Sequence, residues 1–181
     1  MKLLLHACCA PCSAPILESL AKDGVKPAIF YYNPNIYPAE EYEKRRNEIV
    51  RYTTKLGVDF IEGEYDHEKW RDAVKGFENE PERGGRCLLC FKMRMNATAK
   101  AAEEHGYDTI ATSLSSSRWK SLQQIDEAGN SAVEGCAGLS YWAKNWRKGG
   151  LQQRRNELIK ENDFYNQLYC GCEFSMARLE K

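Results

Sequence analysis

The chain has 181 residues, 43% of them hydrophobic, which is enough for one domain with a buried core spanning 1–181. Lys plus Arg and Asp plus Glu both total 26, which excludes a global electrostatic pull toward nucleic acid or membrane and leaves any anionic partner to a local patch. No apolar run approaches a membrane span and MKLLLHACCAPC is too short for a signal-peptide core, so the expectation is a cytoplasmic protein with no membrane partner.

Residues 2–6 (KLLLH) predict a strand, and APILESLAKDG carries Ile16, Leu17, Leu20 and Ala21 at helical spacing before a glycine stop. PAIFYYNPN repeats the strand signal at 27–32, and EEYEKRRNEIVRYTTKLG predicts a long helix closing at Gly57. VDFIEG follows as a third strand, then HEKWRDAVKGF as a helix with Trp70, Ala73, Val74 and Phe77 on one face. After the loop NEPERGGR a helix runs from about Leu88 to His105, and GYDTIATSL is the fourth strand. SSSRWKSLQQIDEAG reads as a loop entering a helix, and residues 131–149 lack clear periodicity. GLQQRRNELIKEND predicts a last helix before FYNQLYCGCEFS. Strands alternating with helices argue for an α/β fold with a mostly parallel sheet covered on both sides. Ligands in such sheets sit at the carboxyl ends of the strands, which is where CCAPC falls after the first one.

Seven of the eight cysteines fall in three tight groups: Cys8, Cys9 and Cys12; Cys87 and Cys90; Cys170 and Cys172. Cys136 stands alone and reads as a small buried hydrophobe. Adjacent Cys8 and Cys9 cannot close an unstrained disulfide, and nothing directs export, so the groups point to metal or redox chemistry. An iron-sulfur cluster needs thiolates, usually four, drawn from segments distant in sequence, and CCAPC with CLLC could supply them. Zinc is the main rival, although a ribbon places its second Cys pair about 15 to 20 residues away. A thioredoxin-like dithiol is another, because Cys87 is placed just ahead of a helix whose dipole would lower its pKa. Cys170-Gly171-Cys172 can close a disulfide only in a tight ring, so it reads either as a redox-active pair or as two more metal ligands. Asp66 is most simply a helix N-cap, with a carboxylate metal ligand as the alternative.

From Gly135 to Asn156 there is no Asp or Glu, yet Lys144, Arg147 and Lys148 occur among Tyr141, Trp142 and Trp146, and Arg118 and Lys120 flank Trp119. Cations neutralise phosphates and aromatic faces stack on unpaired bases, so Arg118, Lys120, Lys144, Arg147 and Lys148 are candidate contacts to single-stranded or loop RNA.

LLLHACCAPCS, EPERGGRCLLCFKMRM, TIATSLSSSRWK and YCGCEFS, in that order, resemble the QueH-type epoxyqueuosine reductases over nearly the whole chain. The resemblance implies a Rossmann-like three-layer fold of the HUP group, with CCAPC in place of a phosphate loop and a cysteine-bearing C-terminal extension. It implies a single catalytic domain that reduces epoxyqueuosine to queuosine at the wobble position of tRNA, the last step of queuosine biosynthesis. Carried onto the matching positions, Cys8, Cys9, Cys87 and Cys90 would bind a 4Fe-4S cluster, and Cys170 with Cys172 would be the redox-active pair. Cys12 would act in catalysis or bind an additional adjacent iron or other metal ion, and no cobalamin is expected. The implied partners are tRNA bearing epoxyqueuosine in its anticodon loop and an external electron donor. This chain has Tyr165, Asn166 and Gln167 where the family usually has Tyr-Arg-Gln, and SSSRWK where a Ser-Pro segment is usual. The competing readings are a zinc-stabilised RNA-binding module without catalysis and a thiol-disulfide oxidoreductase.

Overall fold

The computed structural model describes residues 1–176. In chain order, β1 (Leu3–His6), α1 (Ala10–Lys22), β2 (Ala28–Tyr31), α2 (Ala39–Leu56), β3 (Phe60–Glu62) and α3 (His67–Ala73) form the first half. The second half comprises α4 (Gly85–His105), β4 (Thr109–Thr112), a 3-10 turn (Ser113–Ser116), α5 (Leu122–Val133), β5 (Ser140–Tyr141), α6 (Leu151–Glu161) and α7 (Glu173–Met176). The five strands are hydrogen-bonded in the order β3-β2-β1-β4-β5, and every pair is parallel.

Side chains alternate across a strand, and here both faces are covered. Leu3, Leu5, Ile29, Tyr31 and Ala111 pack with Ile16, Leu20, Ile49, Tyr52 and Leu158 from α1, α2 and α6. Leu4, Ala28, Phe30 and Ile110 pack on the other face with Phe91, Met95, Ala102, Ile125 and Ala128 from α4 and α5. The result is the expected three-layer, Rossmann-like arrangement. No helix among the described residues is long and apolar enough to cross a membrane.

Several boundaries differ from the sequence reading. Helix α1 begins inside CCAPC: Cys9 is its N-cap, the Sγ accepting the Cys12 N–H at 3.4 Å, and Pro11 sits in the first turn, where no backbone N–H is needed. Helix α4 begins at Gly85, so Cys87 and Cys90 lie on its first two turns and Cys87 is not ahead of it. Helix α3 stops at Ala73, leaving Phe77 in the turn beyond. Strand β5 and the single turn of α7 were not anticipated; β5 has two residues and exists through its pairing to β4.

Candidate active site

The loops that leave β1 and β4 at their carboxyl ends carry CCAPC and Ser113–Ser117, and the start of α4 brings CLLC to the same edge of the sheet. The segment after α6 folds back over them. Together they enclose a cavity of about 690 Å³ lined by Cys8, Cys12, Cys87, Cys90, Cys170 and Cys172. Three groups, from positions 8–12, 87–90 and 170–172, thus share one chamber.

The Sγ atoms of Cys8, Cys9 and Cys12 all lie within 4.8 Å of one another. Cys9 is buried behind the cavity, and its sulfur accepts from Gln167 Nε2 at 2.8 Å as well as from the Cys12 N–H. Ser113 ties down Cys8: its hydroxyl accepts the Cys8 N–H at 3.1 Å and donates to the Cys8 Sγ at 3.3 Å. Hydrogen bonding from Cys12, then Cys9, holds the Cys8 thiol well below its ordinary value. Burial pushes Cys9 up, and the bond to Cys8 raises Cys12 to about 11. Among the three, Cys8 is the thiol most readily ionised, and binding a metal would require Cys9 and Cys12 to give up protons that they hold above the ordinary thiol value. Burial also raises the Cys87 thiol.

Buried cations face these thiols. Arg94 donates from Nη2 to Asn33 Oδ1 at 2.5 Å and holds Nη1 at 4.0 Å from the Cys90 Sγ, while its Nε has no partner among the described residues. Arg86 donates one Nη to the carbonyls of Phe77, Glu78 and Glu80, and its Nε and other Nη have no partner among the described residues. Both side chains are buried and line the cavity. Orphaned guanidinium N–H groups in a buried site are costly unless an anionic group meets them. A thiolate-bound metal centre of net negative charge fits both this donor set and these cations. Burial works against the Lys120 ammonium, but the thiolates of Cys170 and Cys8 outweigh it and keep its pKa above the ordinary value.

In the irregular segment between α6 and α7, Cys170 and Cys172 have their sulfurs 3.8 Å apart, Cys170 exposed and Cys172 buried. Their bond holds Cys170 well below the ordinary thiol value and raises Cys172. Gly171 between them has φ +117°, and a Cβ there would lie 2.9 Å from Ile36 Cγ1 and 3.2 Å from Arg45 Nη1, so only glycine fits. Arg45, buried and paired to Glu41, donates to the carbonyls of Cys170 and Tyr169 at 3.2 and 3.1 Å, and Tyr37 donates its N–H to Gly171 O at 2.8 Å.

Residues 3–178 match the model of the family described as Epoxyqueuosine reductase QueH. The chain belongs to that family. It is similar to the epoxyqueuosine reductase QueH of Histophilus somni, 46% identical over 180 residues, covering 99% of this chain and 74% of the relative. It is also similar to that of Acinetobacter baylyi, 45% identical, covering 97% and 80%, and to that of Thermotoga maritima, 37% identical, covering 99% and 93%. Among solved structures, a predicted subunit of tRNA methyltransferase from Methanocaldococcus jannaschii superposes with a TM-score of 0.52 at 15% identity, covering 86% of this chain and 75% of that one, a likeness of fold alone. Family membership makes the chain an oxidoreductase, an epoxyqueuosine reductase, and sets aside the non-catalytic zinc reading.

In this QueH-family enzyme the remaining candidate residues divide sharply. Arg118 and Lys120 line the cavity. Lys144 lies over the Trp142 and Trp146 rings and Lys148 is exposed, both outside the cavity lining. Arg147 is half-buried and donates through Nη2 to the carbonyls of Ser117 and Lys120. Asp66 caps α3, accepting the Lys69 N–H at 3.0 Å, and does not line the cavity. Cys136 packs, partly buried, against the α4–α5 side of the core. His6, between Thr112 Oγ1 and the Tyr32 carbonyl, is fully buried and driven down to about 3 by burial, then by Arg94, so it is a neutral structural group. The sequence reading gives no role to Arg94, Asn33, Arg86 or Arg45 and notes Gln167 only beside Tyr165 and Asn166, because each acquires its role only when distant segments meet.

Proposed function

We propose that this enzyme reduces epoxyqueuosine to queuosine in the anticodon loop of tRNA, as one catalytic domain, with Cys8, Cys9, Cys87 and Cys90 holding a 4Fe-4S cluster. The observation that carries the proposal is the convergence of CCAPC, CLLC and CGC on one cavity of about 690 Å³. When bound, such a cluster supplies electrons singly. Cys12, within the same 4.8 Å trio, is the ligand available to an adjacent metal ion.

The reaction removes the epoxide oxygen as water, leaves a carbon-carbon double bond, and consumes two electrons and two protons. Oxidation of the Cys170 and Cys172 thiols to a disulfide releases two electrons and two protons, so the pair balances one turnover and an external donor must reduce it again. Lys120 presents a positive charge and N–H donors to the cavity, where they stabilise an oxygen that gains negative charge as its carbon bond breaks. The buried guanidinium groups of Arg86 and Arg94 offset the thiolate charge, and Gln167 and Ser113 orient Cys9 and Cys8. Cytoplasmic thiols stay reduced, which suits a dithiol that must be regenerated.

The test pairs iron and sulfide analysis of anaerobically purified protein with conversion of tRNA bearing epoxyqueuosine. About four irons per chain with matching sulfide, and loss of epoxyqueuosine only in the loaded protein, are expected. Turnover by iron-free protein would overturn the cluster assignment.

A further inference from the structure

The segment 117–120 at the mouth of the cavity has an unusual construction. Arg83 donates from Nε to Trp119 O at 2.9 Å and from Nη2 to Arg118 O at 2.8 Å. Arg147 donates from Nη2 to Ser117 O and Lys120 O. Two guanidinium groups from α4's leading loop and the stretch after β5 therefore take all four consecutive backbone carbonyls. Arg83 itself sits at φ +67°, a conformation a non-glycine residue holds only where its contacts demand it. The backbone is pinned while one side chain is left out: Trp119 is 67% exposed, with the Arg118 guanidinium 5.0 Å from its ring.

A large indole projecting into water from a pinned backbone, backed by a cation, is a stacking platform in search of a flat ring. Its surroundings select an anionic polymer: Arg83, Arg118, Lys120 and Arg155 line the same cavity, against one carboxylate among the described residues, that of Glu82, which accepts from Ser175. Leu168, 80% exposed, lines the cavity from the C-terminal segment, so the mouth carries a second apolar side chain with no protein cover. Rigid anchors lose little entropy on binding, and pinning every carbonyl of the segment provides that rigidity.

We propose that Trp119 stacks on an unpaired anticodon-loop base beside the modified nucleotide, fixing how deeply that nucleotide enters the cavity. This rests on the tRNA reading above. Stacking contributes affinity without displacing counterions, so it is separable from phosphate contacts.

The experiment measures binding of an anticodon stem-loop RNA bearing epoxyqueuosine to anaerobic holoenzyme across a salt series, for the parent protein, Trp119→Ala and Trp119→Phe. The expected result is an affinity about 5- to 100-fold weaker for Trp119→Ala, recovery of most of it by Trp119→Phe, and the same salt slope in all three. Parent binding that Trp119→Ala leaves unchanged would overturn the proposal while keeping the tRNA reading, and would assign the exposed indole to another partner such as the protein electron donor. A loss in Trp119→Ala that Trp119→Phe does not recover would also overturn stacking. No binding by the parent would overturn the tRNA reading and this proposal with it.

Discussion

Arg94 stands one helical turn beyond Cys90 on α4, its Nη1 4.0 Å from the Cys90 Sγ, and its Nη2 grips Asn33. Asn33 in turn donates to the carbonyl of Ala7 at 2.9 Å, the residue before Cys8. One buried cation thus couples the helix bearing CLLC to the loop bearing CCAPC. Losing a fixed positive charge beside a ligand makes adding an electron less favourable. Arg94→Gln is expected to move the reduction potential of the loaded protein to more negative values in a potentiometric titration. An unchanged potential would confine Arg94 to holding Asn33.

The proposed assignment divides the cysteines by their expected effect on iron content. Cys8→Ser, Cys9→Ser, Cys87→Ser and Cys90→Ser are each expected to lower bound iron and sulfide in anaerobic preparations. Cys170→Ser and Cys172→Ser should retain both and lose turnover of epoxyqueuosine, since they remove the electron pair and leave the ligands. Iron loss in Cys170→Ser as large as in Cys90→Ser would make CGC part of the ligand set.

Among the basic residues after β5, Lys148 is exposed while the Arg147 Nη2 is engaged by two carbonyls. Lys148→Ala should lower the salt slope of RNA binding by about one. Arg147→Ala should weaken binding by freeing the 117–120 segment, with the slope preserved. Equal slope changes in the two variants would show that Arg147 also reaches a phosphate.

Stability on the acid side has a defined contributor. Arg46 binds the Glu62 carboxylate through Nε and Nη2 at 2.6 and 2.7 Å, and Tyr42 donates its hydroxyl to it at 3.2 Å. Arg46 thereby holds the Glu62 carboxyl below its ordinary 4.5. A carboxyl with a depressed folded-state pKa stabilises fully above its unfolded value and loses that contribution as pH falls through the folded value. Glu62→Gln is expected to cost about 0.5–1 kcal/mol at neutral pH in urea unfolding, the gap closing in acid. A gap independent of pH would assign the loss to packing.

The parts of the fold most legible in the sequence were those whose signal is local. Leu3 to Leu5, Ile29 to Tyr31 and Ile110 with Ala111 are buried on both faces of the sheet, and so appear as uninterrupted apolar runs. Strand β5 carries no such run; Ser140 and Tyr141 are held by β4 and by the Tyr141 ring lying so close to Gly129 that a Cβ there would overlap it. The start of α1 was hidden because a thiol does the capping that Ser, Thr, Asp or Asn ordinarily does. Cysteine spacing singled out the thiol groups that line the cavity, but their supporting shell depends on contacts such as Gln167 to Cys9, 158 positions apart, which no periodicity encodes.

The C-terminal segment is fastened to α2 through its backbone carbonyls and through Tyr165, whose hydroxyl donates to Glu41 at 2.9 Å. Neither of the two large cores draws on any residue beyond Phe164. The two cores that carry CCAPC and CLLC are therefore packed independently of the stretch that walls the chamber. That stretch is held by polar contacts to α2 and by a small cluster of Trp70, Val74, Cys90 and Cys172, so it is the wall of the chamber expected to open at the lowest free-energy cost, which hydrogen exchange of residues 165–172 would register.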